Sequence, residues 1–482
     1  DLMCELVDVQ PNDTVLDPTC GTAGFLISAM HRMLMMADTD EQKKNIKKKQ
    51  LHGFELQNNM FAVAAANMIL RKDGNSNLEC CDFLRKTPAQ VQMKGATVGL
   101  MNPPYSQGTK ADPEQYELSF IEHLLDSLTV GARAAVIVPQ SSMTGKSKAE
   151  RAFKKTIMKH HTLEGVITCN TDTFYGVGTN PVIAVFTAHE PHDADKVCKF
   201  IDFHDDGYEV RAHVGLVEGD SAKDKKQHLL DIWNGRAEAP SKFCVESTVK
   251  PDDEWLHSFY YFNDEIPTDA DFEKAIGDYL TFEFSMVMQN REYLFEGSDD
   301  LGEVAEIPAL DEKDWHDFRI GDLFGISRPV ARNKDNYLPG DVPFIASGSI
   351  NNGVMKLCEP LEDEQLDDGC CITVSPVDGS TFFQPMNFLG RGGAGSSILM
   401  LRCEGLNLYR GQFMARTIQQ TCSKYTYGHM GNKDSIKRER IMLPVTDSGE
   451  PDYEYMEQYS KNMMLRKYQQ YLTFLQQHSN AR

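Results

Sequence analysis

Residues 98 to 109 read VGLMNPPYSQGT, an apolar run that halts at Asn102-Pro103-Pro104-Tyr105. Neither proline has an N–H to give a ladder, so a strand entering from Val98 must end there in a rigid turn. That turn holds an amide side chain, two fixed carbonyls and an aromatic ring at the end of a buried strand. Three acids have a matching placement. Asp17 ends the strand TVLD, with Gly21 and Gly24 following before a helix; Glu55 ends the strand in HGFEL; Asp82 ends the strand in CCDF. In a doubly wound sheet ligands bind at such ends, because glycines let the backbone approach and a helix N-terminus offers free N–H groups. A carboxylate at Glu55 can accept from both hydroxyls of a ribose, and one at Asp82 from an adenine amino group beside the backbone of Phe83. Any one of these acids could be a surface cap; three at successive strand ends are harder to explain that way. The glycine spacing is not G-x-G-x-x-G and there is no Walker lysine, which counts against hydride and phosphoryl transfer.

The elements that must hold these groups follow from the hydrophobic pattern. Residues 13 to 200 alternate short apolar strands with helical spacing, as at Phe25, Ile27, Met30 and Leu34, and predict a mostly parallel sheet covered by helices on both faces. KKNIKKK at 43 to 49 reads as a solvated helix end. Residues 211 to 314 are weaker in pattern and read as an acidic helical tail and linker. From 315 to 450 short strands are punctuated by Gly, Asn and Ser, a separate β-rich domain. Residues 451 to 482 form one long helix with an apolar stripe at Met456, Tyr459, Met463, Tyr468, Leu472 and Leu475.

At 482 residues the chain has room for two or three domains, and 41% apolar residues can build their cores. The 12 cysteines are scattered without C-x-x-C or metal-type spacing, which favours reduced thiols and a cytoplasmic protein with no metal site. No run approaches a membrane span and no signal pattern opens the chain; Asp1 begins in mid-amphipathic segment, as after an N-terminal truncation. The net charge of -22 argues against nucleic acid as a single number, but its distribution does not. Residues 250 to 314 hold 19 acids and 4 Lys/Arg, whereas 391 to 440 hold 9 Lys/Arg and 3 acids.

DPTCGTAGF, GFEL, CDF and NPPY, in that order, resemble the S-adenosylmethionine-dependent DNA adenine-N6 methyltransferases, in particular the modification subunit of type I restriction-modification systems. The resemblance covers residues 1 to 210 and implies an α/β fold with a seven-stranded, mostly parallel sheet. It places Asp17, Gly21 and Gly24 near the methionine part of the cofactor, Glu55 on its ribose, and Asp82 and Phe83 on its adenine. Asn102 and the Pro103 carbonyl then accept the two hydrogens of a target adenine amine, Pro104 stiffens the turn and Tyr105 stacks on the base. Phe174, ahead of Tyr175, is the ring expected on the other face. The target lies inside a duplex and must be flipped out.

The β-rich region resembles a target-recognition domain of type I specificity subunits, and the last helix the spacer that follows it. Lys424, Tyr425, Tyr427, Lys433, Lys437, Arg438 and Arg440 are the stretch expected on double-stranded DNA, chiefly on phosphates. One such domain reads one half-site, so the helix 451 to 482 is expected to pair with a second copy. No nuclease constellation stands out, so any cleavage is expected of a separate restriction subunit as a partner or of the truncated N-terminal part. Two other readings remain open: a protein-glutamine methyltransferase, which also uses N-P-P-Y, and a non-catalytic specificity or assembly subunit.

Overall fold

The apolar runs of the first half become β1 (Val15–Asp17), β2 (Leu51–Glu55), β3 (Asn77–Cys80), β4 (Val98–Met101), β5 (Arg133–Pro139), β6 (Thr162–Cys169), β7 (Pro181–Thr187) and β8 (Val197–Phe203). A hairpin of β9 (Tyr208–Arg211) and β10 (Gly215–Glu218) and then β11 (Cys244–Thr248) follow. These come from a computed structural model that describes all residues except 72–76, 146, 175–177, 212–213, 296–302, 394–396, 427–428 and 480–482, with side chains described to residue 473.

One sheet has the order β11-β8-β6-β7-β5-β4-β1-β2-β3. It is parallel except that β7 runs against β5 and β6, and β11 against β8. Every residue of β1 and β4 is buried, as central strands covered on both faces require. Two separate apolar clusters cover the faces, one around Leu124, Val136 and Phe186, the other around Leu26, Ala135 and Ile183. The expected seven strands are present in the order 3-2-1-4-5-7-6, but β8 and β11 extend the sheet to nine at the β6 edge. A glycine makes that extension feasible: a Cβ at Gly165 in β6 would lie 2.3 Å from the Lys199 carbonyl oxygen of β8.

From β1 the chain winds out to β2 and β3, and from β4 it winds the opposite way to β5. The reversal leaves a crevice at the carboxyl ends of β1 and β4, where a doubly wound sheet binds its ligand.

The chain divides into two units, Asp1–Tyr261 and Phe262–Arg482. The stretch 211 to 314 is divided between the two units. Its first part adds β11 to the sheet and buries Trp255 and Leu256 in the sheet core. Its second part holds the helix Asp269–Val287, which buries Phe272, Ile276, Tyr279, Leu280 and Phe282. The acids beside those residues are used: Asp271 pairs with Arg416 at 2.8 Å, and Tyr468 Oη donates to Glu283 at 3.1 Å.

The second unit is α+β. It has β12 (Trp315–Arg319), β13 (Gly325–Ser327), β14 (Pro339–Ile345), β15 (Val354–Cys358), β16 (Cys371–Val374), β17 (Thr381–Gln384), β18 (Leu389–Gly390), β19 (Leu399–Arg402) and β20 (Arg440–Pro444). These form a β13-β19-β16-β17 sheet, a β15-β14-β18 sheet and a β12-β20 pair. The helix Leu408–Cys422 packs on them, and the Phe413 ring stacks on Phe272 at 4.5 Å. The last helix, Tyr453–Ser479, has much of its stripe covered from within the chain. Met456 and Tyr459 are buried in the core with Phe272 and Phe413, and Tyr468 meets Phe284. An open apolar face, the reason for expecting a second copy there, is missing from Met456 to Tyr468. Leu472 is 56% exposed, and the side chain of Leu475 lies outside the described residues.

Candidate active site

The β1 end of the crevice is a braced loop. Asp17 is 1% exposed, and its Oδ1 accepts the Thr19 N–H at 3.2 Å. Burial pushes its carboxyl up to about 8; the Thr19 bond opposes this and the charge of Glu55 adds to it. Gly21 sits at φ +54°, and its N–H donates to Glu55 Oε2 at 3.0 Å, while Gln57 N–H donates to Oε1 at 2.8 Å. Glu55 thus ties the ends of β1 and β2 together, and each oxygen retains a lone pair. A Cβ at Gly21 or Gly24 would meet nothing within 4 Å, so the loop faces open space.

Past β3, Asp82 Oδ1 accepts the Leu84 N–H at 3.1 Å and caps the turn Phe83–Arg85. Phe83 is 3% exposed, and its ring is held between Phe54 and His123.

The β4 end carries Asn102. Its backbone carbonyl accepts the Thr19 hydroxyl at 2.9 Å, which couples the two loops across the crevice. Its side-chain Oδ1 is buried and has no hydrogen-bond partner among the described residues. A buried amide oxygen left unbonded costs on the order of 1–3 kcal/mol, a cost that an incoming donor would remove. Pro103 is buried and Pro104 exposed. The Tyr105 hydroxyl donates to the Ile137 carbonyl of β5 at 3.3 Å, and its ring meets Phe174 edge to face with centroids 6.0 Å apart. The expected pair of rings is therefore brought together. Tyr175 lies outside the described residues. Thr19 and Glu117, which accepts the Ser106 N–H at 2.7 Å, are site residues that the motifs did not single out. Thr19 stands inside DPTCG and was within reach; Glu117 looks in sequence like any acid in a helix's first turn.

The basic stretch of the second unit divides into two groups. Lys433 and Lys437 are exposed on the helix Lys433–Arg438, and Arg438 is half-buried there. Tyr425, expected on DNA, is instead 2% exposed, with its hydroxyl on Glu439, and Lys424 pairs with the same carboxylate at 2.7 Å. Alternating charges and rings give no face assignment, and here the ring fills the core while the two charges neutralise each other. Arg440 pairs with Asp317, and Tyr427 lies outside the described residues. Tyr425→Ala should accordingly destabilise the unit by about 3–4 kcal/mol in denaturant melts. Lys433→Ala and Lys437→Ala, at exposed positions, should leave the melts unchanged.

The strand order is that of an α/β domain of the S-adenosylmethionine-dependent methyltransferase type. The chain belongs to the N-6 DNA Methylase family, which matches residues 1–253. Residues 312–472 match a second family, the Type I restriction modification DNA specificity domain. The chain is 49% identical over 298 residues to the Type II restriction enzyme and methyltransferase RM.BcgI of Heyndrickxia coagulans, covering 61% of this chain and 47% of that protein. It is 30% identical over 194 residues to the specificity subunit S.BcgI of the same organism, covering 40% of this chain and 55% of that one. It is 27% identical over 198 residues to the EcoKI methylase subunit of Escherichia coli, covering 38% and 37%. The chain spans about half the length of the curated relatives it matches, from 37% to 55%.

Proposed function

We propose that the protein transfers a methyl group from S-adenosylmethionine to adenine N6 within a specific DNA sequence, as part of a restriction-modification system. The observation that carries this reading is the buried, unpartnered Oδ1 of Asn102 at the end of β4, across the crevice from Asp17 and beside the Tyr105–Phe174 pair. An adenine amine is a poor nucleophile because its lone pair is delocalised into the ring. Asn102 Oδ1 and the Pro103 carbonyl accept its two hydrogens, direct the lone pair out of the ring and stabilise the positive charge that grows on N6 as it attacks. The diproline keeps both acceptors fixed, so no reorganisation is needed during the step.

The residues present fit the cofactor. Asp17 is a buried acid that gains from a cationic neighbour, Glu55 keeps free lone pairs, and the Gly21 to Gly24 turn opens onto space that a Cβ would not fill. In this reading Asp17 faces the methionine part, Glu55 the ribose, and Asp82 with the Phe83 backbone the adenine. When bound, the cofactor supplies a methyl group activated by sulfonium.

Tyr105 and Phe174 take the flipped base between them, which offsets part of the few kcal/mol that unstacking costs. Tyr105→Ala or Phe174→Ala should reduce transfer on a paired target more than on one opposite a mismatch. Single-turnover rates on the two duplexes measure this, and equal losses would reject the stacking role.

Sequence reading belongs to the second unit, with Lys433, Lys437 and Arg438 on DNA phosphates. The restriction activity in the name of RM.BcgI is not assigned to this chain, which covers 47% of that protein.

A further inference from the structure

The loop that carries Tyr105 continues through Ser106, whose φ of +57° lies in the left-handed region that a side chain makes costly. A carboxylate holds it there. Glu117 is only 6% exposed, and its Oε1 accepts the Ser106 N–H at 2.7 Å. It stands at the first position of the helix Glu117–Ser127, where free amides favour negative charge. The intervening loop folds back closely: a Cβ at Gly108 would lie 2.5 Å from the Tyr116 ring, next to Glu117 in the chain. A buried carboxylate is an expensive way to begin a helix, since an exposed Ser or Thr serves as well. Its hold on Ser106 gives it a purpose. The Asn-Pro-Pro-Tyr turn is then gripped at both ends, by the Thr19 hydroxyl on the Asn102 carbonyl and by Glu117 on the amide that follows Tyr105.

We propose that Glu117 is a positioning residue for methyl transfer, an inference that rests on the adenine-N6 reading above. By fixing the Ser106 amide it sets the Tyr105 ring relative to Asn102, so that a flipped adenine stacks with its amine at the Asn102 and Pro103 acceptors. The Glu117 carboxylate is engaged with the Ser106 amide and not with the β1 loop, so its loss is expected to act on kcat and not on cofactor affinity. A misplacement of about 1 Å is enough to cost on the order of a hundredfold in rate.

The test compares Glu117→Ala, Glu117→Asp and Glu117→Gln in the intact protein. It measures kcat, cofactor Kd by calorimetry, and the fluorescence of 2-aminopurine at the target position, which reports how the flipped base stacks. Glu117→Ala and Glu117→Asp should lower kcat by roughly tenfold or more, alter the 2-aminopurine signal and leave cofactor Kd within about twofold. Glu117→Gln, whose amide oxygen still accepts the Ser106 N–H, should stay within about twofold of wild type in kcat. If Glu117→Ala does not fold, Glu117→Asp carries the comparison, because it keeps the charge and shortens the reach. Wild-type kcat in all the folded variants would overturn the proposal, as would Glu117→Gln being as slow as Glu117→Asp. A wild-type protein that puts no methyl on adenine would instead overturn the reading on which the proposal rests.

Discussion

Asn102→Ala should abolish methyl transfer, a loss of at least about a hundredfold in single-turnover rate, and leave cofactor and DNA affinity within a few fold. The Oδ1 that it removes is an acceptor without a partner, while the loop-to-loop bond to Thr19 uses the backbone carbonyl and survives the substitution. Asp82→Ala should do the reverse and weaken cofactor binding, because in the proposed reading Asp82 faces the cofactor's adenine, and its loss also frays the cap on the turn that holds Phe83. Calorimetry on the two variants separates the roles. If both lost cofactor affinity equally, the assignment of Asn102 to the amine and Asp82 to the cofactor would be wrong.

Cofactor affinity should rise with pH over the range below about 8. The cause is Asp17, whose carboxyl is held neutral by burial up to about pH 8 in the free protein. A cationic ligand favours the charged form, so binding expels a proton wherever Asp17 begins protonated, and each pH unit below 8 then weakens binding by up to about tenfold. The sign for the free fold is opposite. Asp17 keeps a proton in the native state that the unfolded chain has already released, so its contribution to stability falls as pH rises from about 4 to 8. Calorimetry in two buffers of different ionisation enthalpy reads the released proton directly. Asp17→Asn should flatten the pH dependence, and an unchanged slope in that variant would assign the proton to another group.

The residues grouped at the crevice were legible in the sequence because they stand where patterns break. Asp17, Glu55, Asp82 and Asn102 each end or follow a short apolar run, and a parallel sheet gathers such ends on one edge. The count of seven strands came from the resemblance and periodicity gave only the alternation of strands and helices; the strand order was in neither. The sequence reading missed elements whose composition conceals their burial. Phe272, Ile276, Tyr279 and Leu280 are spaced as a helix face, but they lie among acids that weighed toward a solvated linker, and those acids turn out to bind Arg416 and Tyr468. β8 and β11 were overlooked because Lys199 and Glu246 interrupt their apolar runs, while the edge of β6 needed a partner. Tyr425 and Lys424 show the limit of charge patterning. Basic and aromatic residues in alternation fit a DNA surface, and they fit equally a buried ring beside a neutralised ion pair, as found at Glu439.

The central claim is a methyl group on adenine N6, and mass spectrometry with strand-resolved mapping tests it most directly. The intact protein is incubated with S-adenosylmethionine and genomic-length DNA, alongside Asn102→Ala. N6-methyladenine is expected at one fixed sequence context with the wild-type protein, and none with the variant. Unmodified DNA after incubation with a protein that binds the cofactor, or the methyl group recovered on a protein glutamine, would contradict it.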